Sequence, residues 1–292
     1  MSVRVLAIVV CYRNDGYALD CLRQLRASHY AALSLLVVSN GPFKPPGVLA
    51  EMANWMMETP NQGFAAACNI GIRFAIEKIF DYIWLVNDDL FVQPETLDDL
   101  MGAMRDPKVA FCCPKIVYHN KSDTLQFAGG FIQADGRDWL PRGEWEKDCG
   151  QYDRVEEVDW LSGGCMLARV KAIAEIGPLD EDYFLYYEDV DWCVRAGNLH
   201  WKCIYVGTSA VTHIGSQSAG VVQRFYAPRA KFLFLIKHYP HWLWSALRRY
   251  YWHQLHPHWS RRDWRGLWLD ARILWSTAIM GLMLRAKRTN RA

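Results

Sequence analysis

The first half of the chain alternates near-continuous apolar runs with segments whose apolar residues recur at helical spacing. Val3–Cys11 is such a run, the pattern of a strand covered on both faces. Ala18, Leu22 and Leu25, with Leu19 beside them, then form one helical face. Leu35–Val38 is a second apolar run and stops at Ser39-Asn40-Gly41-Pro42, a strong breaker. The spacing predicts a helix over Ala65–Ile79 and a strand over Tyr82–Val86 that closes on Asn87-Asp88-Asp89. Pro94 suits the first turn of a helix over Glu95–Met104. Strands alternating with helices predict an α/β protein with a mostly parallel sheet and right-handed crossovers.

Beyond residue 105 the pattern loosens. Strands are expected over Val109–Val117, Thr124–Ala134 and Val158–Arg169, with turns at Gly129-Gly130 and Asp135-Gly136. Helices follow over Val170–Ile176, ended by Gly177-Pro178, and over Glu188–Ala196, stopped by Gly197. Trp201–Val206 and Ala210–Ile214 are expected as two short strands. From Arg224 onward the period is helical and Trp, Tyr, Arg and His accumulate. The longest uncharged apolar run there is Ile273–Leu284, 12 residues, whereas a membrane span needs about 20.

Composition sharpens this picture in two ways. The 292 residues are 51% hydrophobic and 22% charged, which excludes a disordered chain, a collagen-like fibre and a polytopic membrane protein. The net charge of +2 hides an asymmetry. Residues 224–292 carry 14 Lys and Arg against Asp263 and Asp270, while residues 1–223 carry an excess of ten acids. Seven of the 14 Trp lie in that tail. Two regions are therefore expected, 1–223 and 224–292. The basic aromatic tail fits either an interfacial helix or helix pair, with aromatics at headgroup depth and cations toward anionic lipid, or a helical lid packed on the α/β region. Nine cysteines without a CxxC pair suggest free thiols in a reducing cytosol. The opening apolar run is too short for a signal peptide.

Ligands of open parallel sheets bind outside the carboxyl ends of the strands. Three polar clusters fall at such ends: Tyr12-Arg13-Asn14-Asp15, Ser39-Asn40-Gly41 and Asn87-Asp88-Asp89. Adjacent carboxylates repel, so Asp88-Asp89 is explained by a cation such as Mg²⁺, which takes one or two carboxylates plus water and phosphate, or by a helix-capping turn. Glu188, Asp189 and Asp191 open a helix, where the macrodipole favours acids. Asp191 and Arg195 have the i,i+4 spacing of a structural ion pair. Asp189, beside an aromatic wall, remains the better candidate for a general base. His213, at the end of a short strand, gains interest as an imidazole able to complete a carboxylate–phosphate metal site. No Gly-rich dinucleotide or P-loop is present.

In these motifs the chain resembles an inverting nucleotide-sugar glycosyltransferase of family 2 with a GT-A fold, over about residues 3–220. Val9-Val10-Cys11-Tyr12-Arg13 is similar to the opening strand and its nucleotide-side turn. Asn61-Gln62-Gly63 through Asn69-Ile70-Gly71 resembles the family's N-x-G and N-x-G segment near the nucleotide, and Asn87-Asp88-Asp89 its D-x-D-type metal motif. Ser162-Gly163-Gly164-Cys165-Met166 resembles the acceptor-side loop, and Glu188-Asp189-Val190-Asp191 through Arg195 the E-D-x-D helix whose second acid is the usual base.

The resemblance thus implies Asp189 as base, with Asp89 and His213 on a Mg²⁺ or Mn²⁺ ion. It implies Tyr12, Arg13, Ser39, Asn40, Asn61, Gly63, Asn69, Asn87 and Asp88 around the nucleotide sugar. Trp160, Gly163, Gly164 and Glu188 would lie on the acceptor side. The nearest branch is bacterial rhamnosyltransferases, which implies a dTDP-rhamnose donor and a saccharide or lipid-linked oligosaccharide acceptor in cell-surface polysaccharide synthesis. The chain would then work in the cytoplasm, peripheral to the inner face of the plasma membrane, with no nucleic-acid partner. Two positions depart from the family pattern: Ser39 stands where Asp often contacts the base, and Asn87 replaces the first Asp of the metal motif. A metal-dependent nucleotidyltransferase or phosphatase also sets acids at strand ends, and a carbohydrate-binding module fits the tail alone.

Overall fold

A computed structural model describes residues 2–12, 16–41, 47–132, 141–215 and 220–289. These fall into two compact units. The first comprises the described residues up to 132, then 141–182 and 188–215; the second comprises Tyr183–Tyr187 and the described residues from 220 onward.

The first unit is built on one sheet. Its strands are β1 (Val5–Cys11), β2 (Leu33–Ser39), β3 (Trp55–Glu58), β4 (Tyr82–Asn87), β5 (Leu90–Phe91), β6 (Val109–Tyr118), β7 (Lys121–Phe127), β8 (Val155–Val158), β9 (Cys165–Arg169) and β10 (Lys202–His213). The main path runs β3-β2-β1-β4-β9-β6-β10-β5, with β7 on β6 and β8 on β10. Every residue of β1 is buried, as its uninterrupted apolar sequence requires of a strand between two parallel neighbours, β2 and β4. The helices are α1 (Tyr17–Arg26), α2 (Gly47–Met52), α3 (Phe64–Glu77), α4 (Thr96–Ala103), α5 (Val170–Ile176) and α6 (Glu188–Asn198). Helix α3 packs closely on β1: a Cβ at Gly71 would lie 2.7 Å from the Ile8 side chain, nearer than side-chain carbons ever come.

The parallel reading holds for β3-β2-β1-β4 and for β6-β10, but β9 runs antiparallel to both β4 and β6. Its apolar sequence, buried over Cys165–Ala168, carries no mark of direction. That inversion matters for function. Pairing Val86 with Cys165 brings the start of β9, not its end, to the carboxyl edge of β4.

Three expected boundaries shift. Val158–Arg169 is two strands, β8 and β9, separated by the Gly163-Gly164 loop. Trp201–Val206 and Ala210–Ile214 are one strand, β10, whose register slips between Val206 and Ala210, a bulge that sequence reads as a gap. The strand expected over Thr124–Ala134 is β7, ending at Phe127, and residues 133 and 134 lie outside the described set, as does the Asp135-Gly136 turn.

The second unit is helical: α7 (Val221–His238), α8 (Leu243–Tyr250), a π turn over Tyr251–Leu255, α9 (His256–Ser260) and α10 (Trp264–Thr289). Its division begins a few residues before the compositional boundary at 224 and also takes in Tyr183–Tyr187, which carry no basic or helical signature. Phe232, Leu233, Phe234 and Leu235 of α7 and Ile273 of α10 are buried. Trp244, Trp252, Trp259, Trp264, Trp268 and Trp275 are all more than half exposed. Among the described residues no helix is long and apolar enough to cross a membrane.

Candidate active site

Strand register decides which polar clusters meet. Parallel pairing sets Cys11 beside Ser39 and Val10 beside Asn87, so β1, β2 and β4 end together. Tyr12, Ser39-Asn40 and Asn87-Asp88-Asp89 therefore share one edge of the sheet. Arg13 lies outside the described residues.

At the end of β2, Asn40 is buried and its amide ties two segments together: Nδ2 donates to the Gly63 carbonyl at 3.1 Å, and Oδ1 accepts from the Gln62 amide at 3.3 Å. Asn61 Oδ1 accepts from the Gly63 amide at 3.0 Å, and Gly63 holds φ +99° before α3 begins. Asn40, Asn61 and Gly63 thus form one loop framework beside Ser39, and Tyr12 is 45% exposed. Asn69 sits apart from them. It is buried in α3, and its amide exchanges bonds with the Leu179 backbone at 2.8 and 3.0 Å and donates to Glu181 at 2.9 Å. Its side chain is committed to anchoring the Leu179–Glu181 segment rather than to the nucleotide edge that the resemblance implied.

The Gly163-Gly164 loop links the two acidic clusters. The Asn87 amide donates to the Gly164 carbonyl at 2.8 Å, and the Gly163 amide donates to Asp189 Oδ2 at 2.8 Å. A Cβ at Gly163 would stand 3.1 Å from the Asp189 Cβ, and one at Gly164 would stand 3.3 Å from Asn87 Nδ2. Two residues without side chains therefore let the head of α6 approach the end of β4. The loop thus ties the end of β4, two residues before Asp89, to Asp189 at the head of α6, 100 residues further along the chain than Asp89.

On the other side of Asp89 the short strand β5 pairs antiparallel with the end of β10, setting Leu90 opposite His213. His213 Nε2 then lies 2.9 Å from Asp89 Oδ1, and Nδ1 lies 2.8 Å from Gln126 Oε1 on β7. Gln126 Oε1 can only accept, so Nδ1 carries the hydrogen. Nε2 then faces the Asp89 carboxylate, so the two groups could hold one cation between them. Adjacent oxygen or nitrogen ligands of an octahedral ion with bonds of about 2.1 Å stand about 3.0 Å apart, and the Asp89–His213 pair matches. Among the described residues no cluster of three or more His, Cys, Asp or Glu could hold a metal. The pair would be completed by water and phosphate, as magnesium-type sites usually are.

Glu188 and Asp189 are adjacent buried acids in different surroundings. Burial, and then the neighbouring Asp189, push the Glu188 carboxyl well above the usual range, and its Oε2 has no hydrogen-bond partner. Burial also raises Asp189, but the Gly163 and Val190 amides, the latter 2.8 Å from Oδ1, oppose the rise. Glu188, facing two acidic neighbours, is therefore the better holder of a proton, and Asp189, with the Gly163 and Val190 amides, the better seat of negative charge. Asp191 and Arg195 form the ion pair that their spacing predicts, at 2.8 Å, and Arg195 also caps the Ile176 and Pro178 carbonyls at 2.8 Å. Trp160 is buried against Gly130, whose missing Cβ leaves room for the indole, and its Nε1 has no partner. Sequence reasoning missed Gln126, an ordinary strand residue. Only the β7–β6 and β6–β10 pairings, settled in three dimensions, bring it to His213.

The model for glycosyltransferase-like family 2 matches residues 3–227, which includes all of these clusters. The chain belongs to this family. The glycosyltransferase is 30% identical over 240 residues to N-acetylglucosaminyl-diphospho-decaprenol L-rhamnosyltransferase of Mycobacterium tuberculosis, covering 74% of this chain and 78% of the relative. It is 24% identical over 251 residues to the dTDP-rhamnosyl transferase RfbF of Shigella flexneri, covering 82% of each. Among solved structures, the mannosyltransferase PcManGT of Pyrobaculum calidifontis, in complex with GDP-Man and Mn²⁺, superposes with a TM-score of 0.57 at 15% identity. That match covers 99% of this chain and 80% of the other. The glycosyltransferase therefore shares the GT-A fold, with its helical region following the catalytic sheet.

Proposed function

We propose that this glycosyltransferase moves rhamnose from dTDP-rhamnose to a hydroxyl of a diphosphoprenyl-linked saccharide, with inversion at the anomeric carbon. The observation that carries the reading is the Gly163-Gly164 loop, bonded on one side to Asp189 and on the other to Asn87. A base and a diphosphate site so joined can flank one reacting carbon. Asp189, charged and fixed by two amides, takes the proton of the attacking hydroxyl. Glu188, neutral, turns its unpartnered Oε2 toward an acceptor hydroxyl. Tyr12, Ser39 and Asn40 line the nucleoside side, with Asn61 and Gly63 fixing that loop, and Asn87 and Asp88 the diphosphate side. Trp160, Gly163 and Gly164 bound the acceptor.

Asp89 and His213 would hold a Mg²⁺ or Mn²⁺ ion, with Gln126 fixing the imidazole tautomer. Such an ion, when bound, supplies Lewis-acid neutralisation of the leaving diphosphate. The rhamnose donor rests on the printed activities of the Mycobacterium and Shigella relatives, and the lipid-linked acceptor on the first of them. The exposed tryptophans of the helical unit, on a segment rich in Arg and Lys, support peripheral binding to an anionic membrane face, where such an acceptor lies.

The test is transfer from dTDP-rhamnose to a short-chain prenyl-diphosphate N-acetylglucosamine, with Mn²⁺, followed by NMR of the product anomer. An inverted rhamnoside is expected. A retained configuration, or release of free rhamnose with no product in saturating acceptor, would overturn the reading.

A further inference from the structure

A cavity of about 360 Å³, with largely apolar walls and a few charged groups, lies wholly inside the helical unit. Residues 224, 227, 228 and 231 of α7 line it at helical spacing, so Arg224 and Lys231 face the same space two turns apart across Ala227 and Pro228. Pro228 has no N–H to close on the Arg224 carbonyl, which loosens that wall. Opposite are Tyr250, at the end of α8, Gln254, in the π turn, and Asp270, on α10. Such π insertions are frequent at functional sites.

Asp270 gives the cavity its chemical demand. It is 1% exposed; Oδ1 accepts from the Tyr250 hydroxyl at 2.8 Å, and Oδ2 has no donor. A simple anion suits Arg224 and Lys231 but is repelled by that carboxylate. A simple cation suits Asp270 and is repelled by the other two. A ligand that satisfies both presents a phosphate at one end and hydroxyl donors at the other. Two tyrosine rings, Tyr187 and Tyr250, add flat apolar faces of the kind that pack on a sugar ring. Tyr187 is held at φ +69°, a conformation that a non-glycine residue adopts only when its surroundings fix it. Its ring centroid lies 5.6 Å from that of Phe234.

We infer that this cavity binds a glycosyl phosphate other than the reacting acceptor sugar, with Arg224 and Lys231 on the phosphate and Asp270 on sugar hydroxyls. The inference goes beyond the proposed function and stands apart from it. The source could also be a phospholipid head, and the probes separate the two.

Binding of N-acetylglucosamine 1-phosphate, glycerol 1-phosphate and inorganic phosphate to the full chain is measured by calorimetry. The sugar phosphate is expected to bind at least tenfold more tightly than the other two. Asp270→Asn should weaken the sugar phosphate by tenfold or more while strengthening inorganic phosphate, and Lys231→Gln should weaken all three. Equal or tighter binding of glycerol 1-phosphate would assign the cavity to bulk lipid and overturn the inference. A sugar phosphate indifferent to both substitutions would overturn it as well. Because Asp270→Asn can disturb folding, the wild-type chain provides a second reading. N-Acetylglucosamine 1-phosphate should shield Lys231, but not Lys237, from acetylation, and equal labelling with and without it counts against the site. Binding of dTDP with Mn²⁺ to the same samples reports on the proposed function separately. If dTDP binds and the sugar phosphate does not, only the cavity falls; the reverse leaves the cavity and removes the donor assignment.

Discussion

The two units use the same residue types in opposite ways. In the sheet unit the tryptophans Trp84 and Trp192 are completely buried, and the ring of Trp192 lies 4.4 Å from that of Phe111. In the helical unit six tryptophans stand more than half exposed. Charges divide similarly. The candidate acids of the sheet unit, Asp189 and Asp89, are bonded to backbone amides or to His213, whereas cations of the helical unit, such as Arg248, Arg261 and Arg265, are exposed. Exposed apolar rings gathered on one unit are the pattern of an interaction surface, and here they support the proposed membrane contact. The proposed chemistry falls in the first unit and the proposed membrane contact in the second.

The sharpest way to break this division is Asp189→Asn. It should lower kcat/KM by about 10³-fold, within the range for general acid–base groups, while circular dichroism and vesicle binding stay at wild-type values. A loss under tenfold would remove Asp189 from the chemistry. Gln126→Leu comes next: without its acceptor for His213 Nδ1, the Mn²⁺ concentration giving half-maximal activity should rise by about 10- to 100-fold, as for other residues that orient a ligand. Identical Mn²⁺ titrations would show that the imidazole needs no such support.

On the open unit, replacing Trp244, Trp252 and Trp259 together by Ser should cut partitioning onto phosphatidylglycerol vesicles by about tenfold, with a melting temperature close to wild type, since exposed substitutions seldom change stability by more than about 0.5 kcal/mol. Partitioning that persists would return the helices to the role of a packed lid.

The smallest expected effect concerns pH. Glu188 has a raised carboxyl pKa in the folded chain, so folding favours its protonated form. That stabilisation is complete below the ordinary carboxylate range and is lost as pH rises through the raised value. Glu188→Gln keeps a neutral side chain at every pH. Its melting temperature should therefore exceed that of wild type by a few degrees at pH 8, about 2–4 °C per kcal/mol for a unit of this size, and match it at low pH. The Asp189 carboxyl is raised by burial as well, so the acid limb of kcat/KM should lie above the ordinary aspartate value. A limb at or below that value would mean that the base is solvated in the working enzyme.

Much of the site was legible from residue order because strand ends are written in local pattern. Apolar runs that stop at Ser39-Asn40 and Asn87-Asp88-Asp89 locate the carboxyl edge without any coordinates, and three acids before a helical pattern locate the head of α6. Asn69 shows the limit. Its place in a recognisable motif suggested contact with the nucleotide, yet an amide can serve packing or ligand with equal ease, and here it bonds the Leu179–Glu181 segment. Gln126 shows another: nothing local distinguishes it from other polar strand residues.

Sequence alone showed most of the longer elements, the polar strand ends, the acidic helix start and the contrast between an acidic body and a basic aromatic tail, since all of these follow from short-range periodicity and composition. Tertiary structure decided which of those pieces meet. The antiparallel insertion of β9 delivers Gly163-Gly164 to Asn87 and Asp189, the β5–β10 pairing delivers His213 to Asp89, and the packing of α7, α8 and α10 encloses Asp270. Strand direction and partner depend on burial shared between segments far apart in the chain, and no local pattern encodes that.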